Sequence, residues 1–79
     1  MRIDKFLKVS RIIKRRTLAN EACAKERVTI NGRVAKPGSE VKVGDIVEIR
    51  FGEKLTRIKV LKVTEHVKKE ESTEMYEII

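Results

Sequence analysis

Residues 14–22 read KRRTLANEA. Lys14, Arg15 and Arg16 stand directly before Thr17, a hydroxyl residue followed by Leu18, Ala19 and Ala22 at helical spacing, which is the pattern of a helix N-cap. A helix start carries about half a positive charge, so cations crowded against it are unfavourable unless an anion is shared among them. The chemistry such a cluster can perform is the gripping of phosphate. Arginine does this through paired N–H donors, lysine as a point charge. Arg2, Lys5, Lys8 and Arg11 lie close by in sequence and extend the surface; Lys5 and Lys8, three apart, share one side of a helix.

The charge balance agrees with this reading. The net charge is +7, from 19 basic and 12 acidic residues. Residues 1–36 hold eleven Lys or Arg against Asp4, Glu21 and Glu26, an excess of eight. The rest holds eight against nine. An isolated charge run is a solvated face in about three cases of four. Confinement of the excess to one half of a small body points instead to a face for a polyanion.

Other reactive residues offer less. Cys23 lies on an apolar helical face with Ala19 and Ala22, without a histidine near it in sequence, and reads as a small core residue. As the single cysteine it forms no internal disulfide, and no Cys/His cluster has metal spacing. His66 is expected to be exposed, and Glu70-Glu71 sits in a Lys-Lys-Glu-Glu run that reads as solvated. No catalytic constellation, metal site or cofactor is expected.

Length limits the rest. Seventy-nine residues make one domain, which buries only ~60% of its unfolded surface and leaves little room for a water-excluding active site. Apolar runs of two or three residues fall far short of the roughly 20 that a membrane span needs. Met1–Val9 mixes charged and apolar residues unlike a signal peptide. The expected setting is reduced and cytoplasmic.

Two helices must carry the cations. Ile3, Phe6 and Leu7 predict a short helix over roughly Asp4–Val9, with Asp4 suiting the dipole in its first turn. Ile12 and Ile13 are expected beneath the connection. A second helix, about Thr17–Lys25, turns Leu18, Ala19, Ala22 and Cys23 inward. Asn31-Gly32 within VTINGRVA, residues 28–35, is a strong type I′ hairpin signal. Pro37-Gly38 breaks the chain, Val41 and Val43 form a short strand, and Gly44-Asp45 turns. Ile46–Phe51 is a strand, Gly52-Glu53-Lys54 a turn, and Leu55–Val63 a long strand with Ile58 and Val60 on one face and Val63 a further candidate. The ending admits either a helix from about Ser72 that docks Met75, Tyr76 and Ile79, or a polar tail with a terminal strand. The fold class is α+β: two short N-terminal helices on a small, largely antiparallel sheet.

Arg2 to Ile49 resembles the S4 RNA-binding domain, named for a ribosomal protein of the small subunit. The resemblance rests on Arg2, Asp4 and Lys5, on Arg11, on the basic run ending at Arg16-Thr17, on VTINGRVAK, and on VKVGD ending at Asp45. IRFGEKLTRIKVLKV and the ending MYEII are similar to the stand-alone S4 proteins of bacterial ribosome-associated quality control, relatives of the heat-shock protein fifteen. The resemblance implies an S4-type unit over residues 1–63, with a motif core at 2–49, and a C-terminal extension at 64–79. It implies a monomeric, non-catalytic protein on obstructed large ribosomal subunits, in contact with rRNA and peptidyl-tRNA. There it stabilises the P-site tRNA while a partner factor adds a C-terminal alanine tail.

On that reading the anion at Thr17 is RNA backbone. The expected RNA-binding residues are Arg2, Lys5, Lys8, Arg11, Lys14, Arg15, Arg16 and Thr17, with Arg33 and Lys36 on the hairpin; Asn31 and Gly32 are assigned to the turn. Asp4 is expected to cap its helix or to fix Arg11 or Arg15. Phe6 and Phe51 read as core, leaving no platform for stacking single-stranded bases, so structured RNA is the expected ligand. The family usually has glycine where this chain has Glu26; that residue must either take the left-handed conformation, at ~1 kcal/mol, or continue the helix. Alternatives are a heat-shock-type recycling factor, a general structured-RNA module, the detached arm of an RNA-modifying enzyme, or a module for an acidic protein or anionic membrane. A chain ending at Ile79 would disfavour the fused-enzyme form, and the first helix is too short for stable interfacial anchoring.

Overall fold

The computed structural model describes residues 1–79. Helix α1 spans Ile3–Val9 and α2 spans Arg16–Ala24. Strands β1 (Val28–Ile30), β2 (Arg33–Val34), β3 (Ile46–Phe51) and β4 (Lys54–Val60) follow. A 3₁₀ helix, Lys69–Met75, then leads into β5 (Tyr76–Ile78). The five strands form one antiparallel sheet in the order β2-β1-β3-β4-β5. Strand alternation sets the core: Val28, Val47, Ile49, Ile58 and Val60 are fully buried and form one cluster with Ile3, Phe6, Leu7, Ala19 and Cys23 from the helices. Ala19 and Cys23 have little side chain, which lets α2 approach α1 closely.

Local sequence accounts for most boundaries. Asn31 and Gly32, at φ 53° and 82°, supply the two positive angles of a type I′ turn between β1 and β2. The Asn31 side chain also works at longer range: its Oδ1 accepts from the Ile46 N–H at 2.9 Å, and its Nδ2 donates to Asp45 at 3.0 Å. The start of β3 is thereby tied to the hairpin.

Several expectations need correction. Helix α2 begins at Arg16, with Arg15 at the N-cap and no side-chain cap, so Thr17 is a first-turn residue rather than the cap. Leu18 is half exposed, because the face toward α1 is set by Ala19 and Cys23 one position on. Val41 and Val43 form no strand. Instead the Ile3 N–H donates to Ser39 O at 2.7 Å and the Val41 N–H to Met1 O at 2.9 Å, a short pairing that pins the start of α1. Lys42 to Asp45 then closes as a turn, the Lys42 N–H donating to Asp45 Oδ2 at 2.8 Å, and Val43 is left exposed. Phe51 is exposed too: it shares a sheet face with Val47 and Ile49 but sits at the β3–β4 hairpin tip opposite Lys54, outside the core cluster. Lys54 opens β4, which ends at Val60 rather than Val63.

The two readings of the ending are both partly realised. A 3₁₀ helix starts at Lys69, three residues before Ser72, and buries Met75; the terminal strand follows, and Ile79 just beyond it stays exposed. Glu26 takes the left-handed option at φ 61°. The Arg27 N–H donates to Ala22 O and the Glu26 N–H to Cys23 O, both at 3.0 Å, which is the Schellman pattern normally built on glycine.

Candidate nucleic-acid interface

The basic surface is organised by one carboxylate. Asp4, in the first turn of α1, is only 1% exposed. Arg2 grips it bidentately, Nε donating to Oδ1 at 3.2 Å and Nη2 to Oδ2 at 3.1 Å. From α2, Arg16 Nη2 donates to Oδ1 and Asn20 Nδ2 to Oδ2, each at 3.4 Å. Arg16 and Asn20 are four residues apart and so project from one face of α2. Asp4 therefore bonds Arg2 and Arg16, and not Arg11 or Arg15; its partners follow from the crossing of the two helices rather than from sequence proximity.

Burial pushes the Asp4 carboxyl up, but the Asn20 hydrogen bond, the charges of Arg16 and Arg2 and the Lys5 backbone N–H together hold it below its ordinary 3.8. The carboxylate stays charged and its guanidiniums stay aimed. Both reach solvent, with side chains 54% and 46% exposed. Each arginine has five N–H donors; Arg2 spends two on Asp4 and Arg16 one, and the group keeps a net positive charge. With Thr17 and Asn20 these residues line an open hollow of about 380 Å³. Fixed, half-exposed guanidiniums beside a helix start without a side-chain cap offer N–H donors of the kind that can hydrogen-bond phosphate oxygens.

The other candidates are dispersed around this centre. Lys14 and Arg15 are exposed, neither in an ion pair within the chain. Lys5 pairs with Glu65 at 3.3 Å. Lys8, Arg11 and Lys14 meet in a separate cleft with Glu65, His66 and Lys69. Arg33 and Lys36 line neither hollow, and Lys36 sits 3.8 Å from Glu26, past the far end of α2. Sequence reasoning missed Asn20, whose place four residues after Arg16 was the available signal. It also missed the cleft residues after β4, which carry no local signal.

Cys23 is fully buried. Burial, with the Asp4 charge added, pushes its thiol up to about 11, the wrong direction for a nucleophile. No helix is long and apolar enough to cross a membrane.

Paired helices presenting an oriented basic surface against a small antiparallel sheet define the S4 type of RNA-binding domain. The family described as S4 domain matches residues 1–47, and the chain belongs to it. Its relatives within that family bear a more specific name. The chain is 58% identical over 78 residues to the RQC P-site tRNA stabilizing factor of Halalkalibacterium halodurans, covering 99% of this chain and 89% of that one. It is 53% identical over 79 residues to the factor of the same name from Bacillus subtilis, covering 100% and 92%. Among solved structures, heat shock protein 15 of Vibrio cholerae, described as trimeric, superposes with a TM-score of 0.91 at 29% identity, covering all of this chain and 81% of that one. The solution structure of the hypothetical protein HP1423 gives 0.85 at 31%, covering 100% and 96%.

Proposed function

We infer that this chain is a non-catalytic RNA-binding protein of the large ribosomal subunit. On obstructed subunits it contacts rRNA and peptidyl-tRNA and stabilises the P-site tRNA, beside the factor that extends the stalled chain with alanine. The observation that carries the reading is the Asp4-held pair of guanidiniums, Arg2 and Arg16, in a chain whose near-full-length relatives are named for P-site tRNA stabilisation. The proposed RNA-binding residues are Arg2, Lys5, Lys8, Arg11, Lys14, Arg15, Arg16 and Thr17, with Arg33 and Lys36 as outlying contacts. The likeness to heat shock protein 15 favours a second reading, recycling of stalled large subunits.

Co-sedimentation with large subunits tests both. Under quality control, subunits that retain peptidyl-tRNA bind the chain and Arg16→Gln releases it. Equal binding to subunits stripped of tRNA refutes tRNA stabilisation in favour of a general structured-RNA module, and binding that ignores Arg16→Gln refutes the site.

A further inference from the structure

Three hollows along one side of the molecule share walls. The hollow of Arg16, Thr17 and Asn20 shares Arg2 and Arg16 with a second, which Lys5 and Glu65 also line. Glu65 in turn lines the third, a cleft of about 630 Å³, within the range of about 300–1,000 Å³ usual for ligand sites. Lys8, at the end of α1, and Arg11 and Lys14, in the α1–α2 connection, form one wall of this cleft. Its other wall is His66 and Lys69, from the segment after β4 and the start of the 3₁₀ helix. Val9 and Val67 also line it, both packed against the core. The S4 match ends at residue 47, so this second wall comes from chain outside it.

Two features show a wall built for anions. Lys8, Arg11, Lys14 and Lys69 have no carboxylate partner, and Glu65, the one acidic residue lining the cleft, is engaged by Lys5 at 3.3 Å. Arg11 also holds φ 63°, its N–H donating to Lys8 O at 3.0 Å where α1 ends. Glycine or asparagine ends a helix in that conformation more easily, and arginine there serves no packing purpose, since it is exposed. Only two of the eight lining residues are apolar, too few for the hydrophobic centre of a protein interface but suited to a sugar-phosphate strand.

We propose that this cleft is a second RNA-backbone site, in which Lys8, Arg11 and Lys14 on one wall and Lys69 on the other close around phosphates of the strand held at Arg2 and Arg16. It rests on the RNA-binding reading above and extends the interface to the C-terminal segment, which thereby becomes a clamp on the ligand as well as the edge of the sheet.

The test measures affinity of the full chain for purified large ribosomal subunits across a salt series. Three variants are compared: Lys69→Glu in the cleft, Arg16→Gln at the first site, and Lys54→Glu at the exposed β3–β4 tip, which matches Lys69→Glu in net charge. Thermal melts monitored by circular dichroism verify folding. Lys69→Glu should weaken binding by about three- to tenfold more than Lys54→Glu and lower the log–log salt slope by about one phosphate, ~0.7–0.9. Equal behaviour of Lys69→Glu and Lys54→Glu, with Arg16→Gln impaired, overturns the cleft alone. A wild-type chain that binds no subunits overturns the underlying RNA reading with it. Capture of a protein partner that survives ribonuclease and depends on Lys69 overturns the proposal in favour of an acidic polypeptide.

Discussion

Arg2 donates from both Nε and Nη2 to the two oxygens of Asp4, at 3.2 and 3.1 Å, so a nearly fully buried carboxylate fixes a guanidinium that is itself half exposed. A surface arginine normally samples many rotamers and forfeits that freedom on binding. Here the loss is incurred during folding, and Arg16 is held by the same carboxylate from the other helix. One residue thereby links helix packing to the shape of the basic face.

Asp4→Asn should destabilise the fold by about 1–2 kcal/mol. Loss of a buried charged partner costs more than that when both sides are dry, but the half-exposed arginines recover solvation. Urea unfolding of the two proteins checks the value; an unchanged midpoint would show that the α1–α2 contact does not depend on the carboxylate charge.

The same group sets an acid dependence. The folded Asp4 carboxyl lies below 3.8, so its contribution is fully present above that value and is lost as pH falls through the folded pKa. The stability difference between wild type and Asp4→Asn should therefore be constant near neutrality and shrink below about pH 4. Thermal melts from pH 7 down to pH 2.5 measure it, and a gap that widens with acid contradicts the assignment.

Glu26→Gly should stabilise the protein. Glutamate at φ 61° is strained by ~1 kcal/mol, which glycine relieves. The exposed Glu26–Lys36 pair at 3.8 Å adds little in return. A net gain of about 0.5–1 kcal/mol corresponds to a rise in Tm of about 2–8 °C for a domain this size. A lower Tm would mean that the ion pair or the unfolded-state entropy of glycine outweighs the strain.

Cys23 should resist thiol reagents in the folded protein. It is fully buried and its thiol is pushed up to about 11, so a disulfide reagent reaches it only through opening and should modify it more slowly than in the unfolded chain, by the factor of the opening equilibrium. Labelling under native conditions as fast as that of the unfolded chain would place the sulfur at the surface.

What was legible in the sequence was local. Ile46–Phe51 is a strand over the expected residues because alternation and the flanking Gly44 and Gly52 act within a few positions. Asn31-Gly32 predicts its turn by conformational preference alone. Phe51 shows the limit: alternation places it on the right sheet face, but whether the core cluster extends to that end is set by tertiary packing. Leu18 fails similarly, since one position of rotation about α2 separates core from solvent. The basic residues were readable as a group, and Asp4 as a carboxylate able to fix an arginine, but which arginines it aims was not. Asp4 meets Arg16 and Asn20 across 12 and 16 residues, a distance that only the helix crossing closes.

Under the proposed function, Asp4 acts as an orienting group for Arg2 and Arg16 in RNA binding. The most direct measurement is the affinity of Asp4→Asn for large ribosomal subunits at fixed ionic strength and at a temperature where both proteins are folded. Removing a negative charge from a polyanion-binding face would by simple electrostatics tighten binding. Orientation predicts the opposite, a loss of about tenfold. Affinity equal to or tighter than wild type would contradict it.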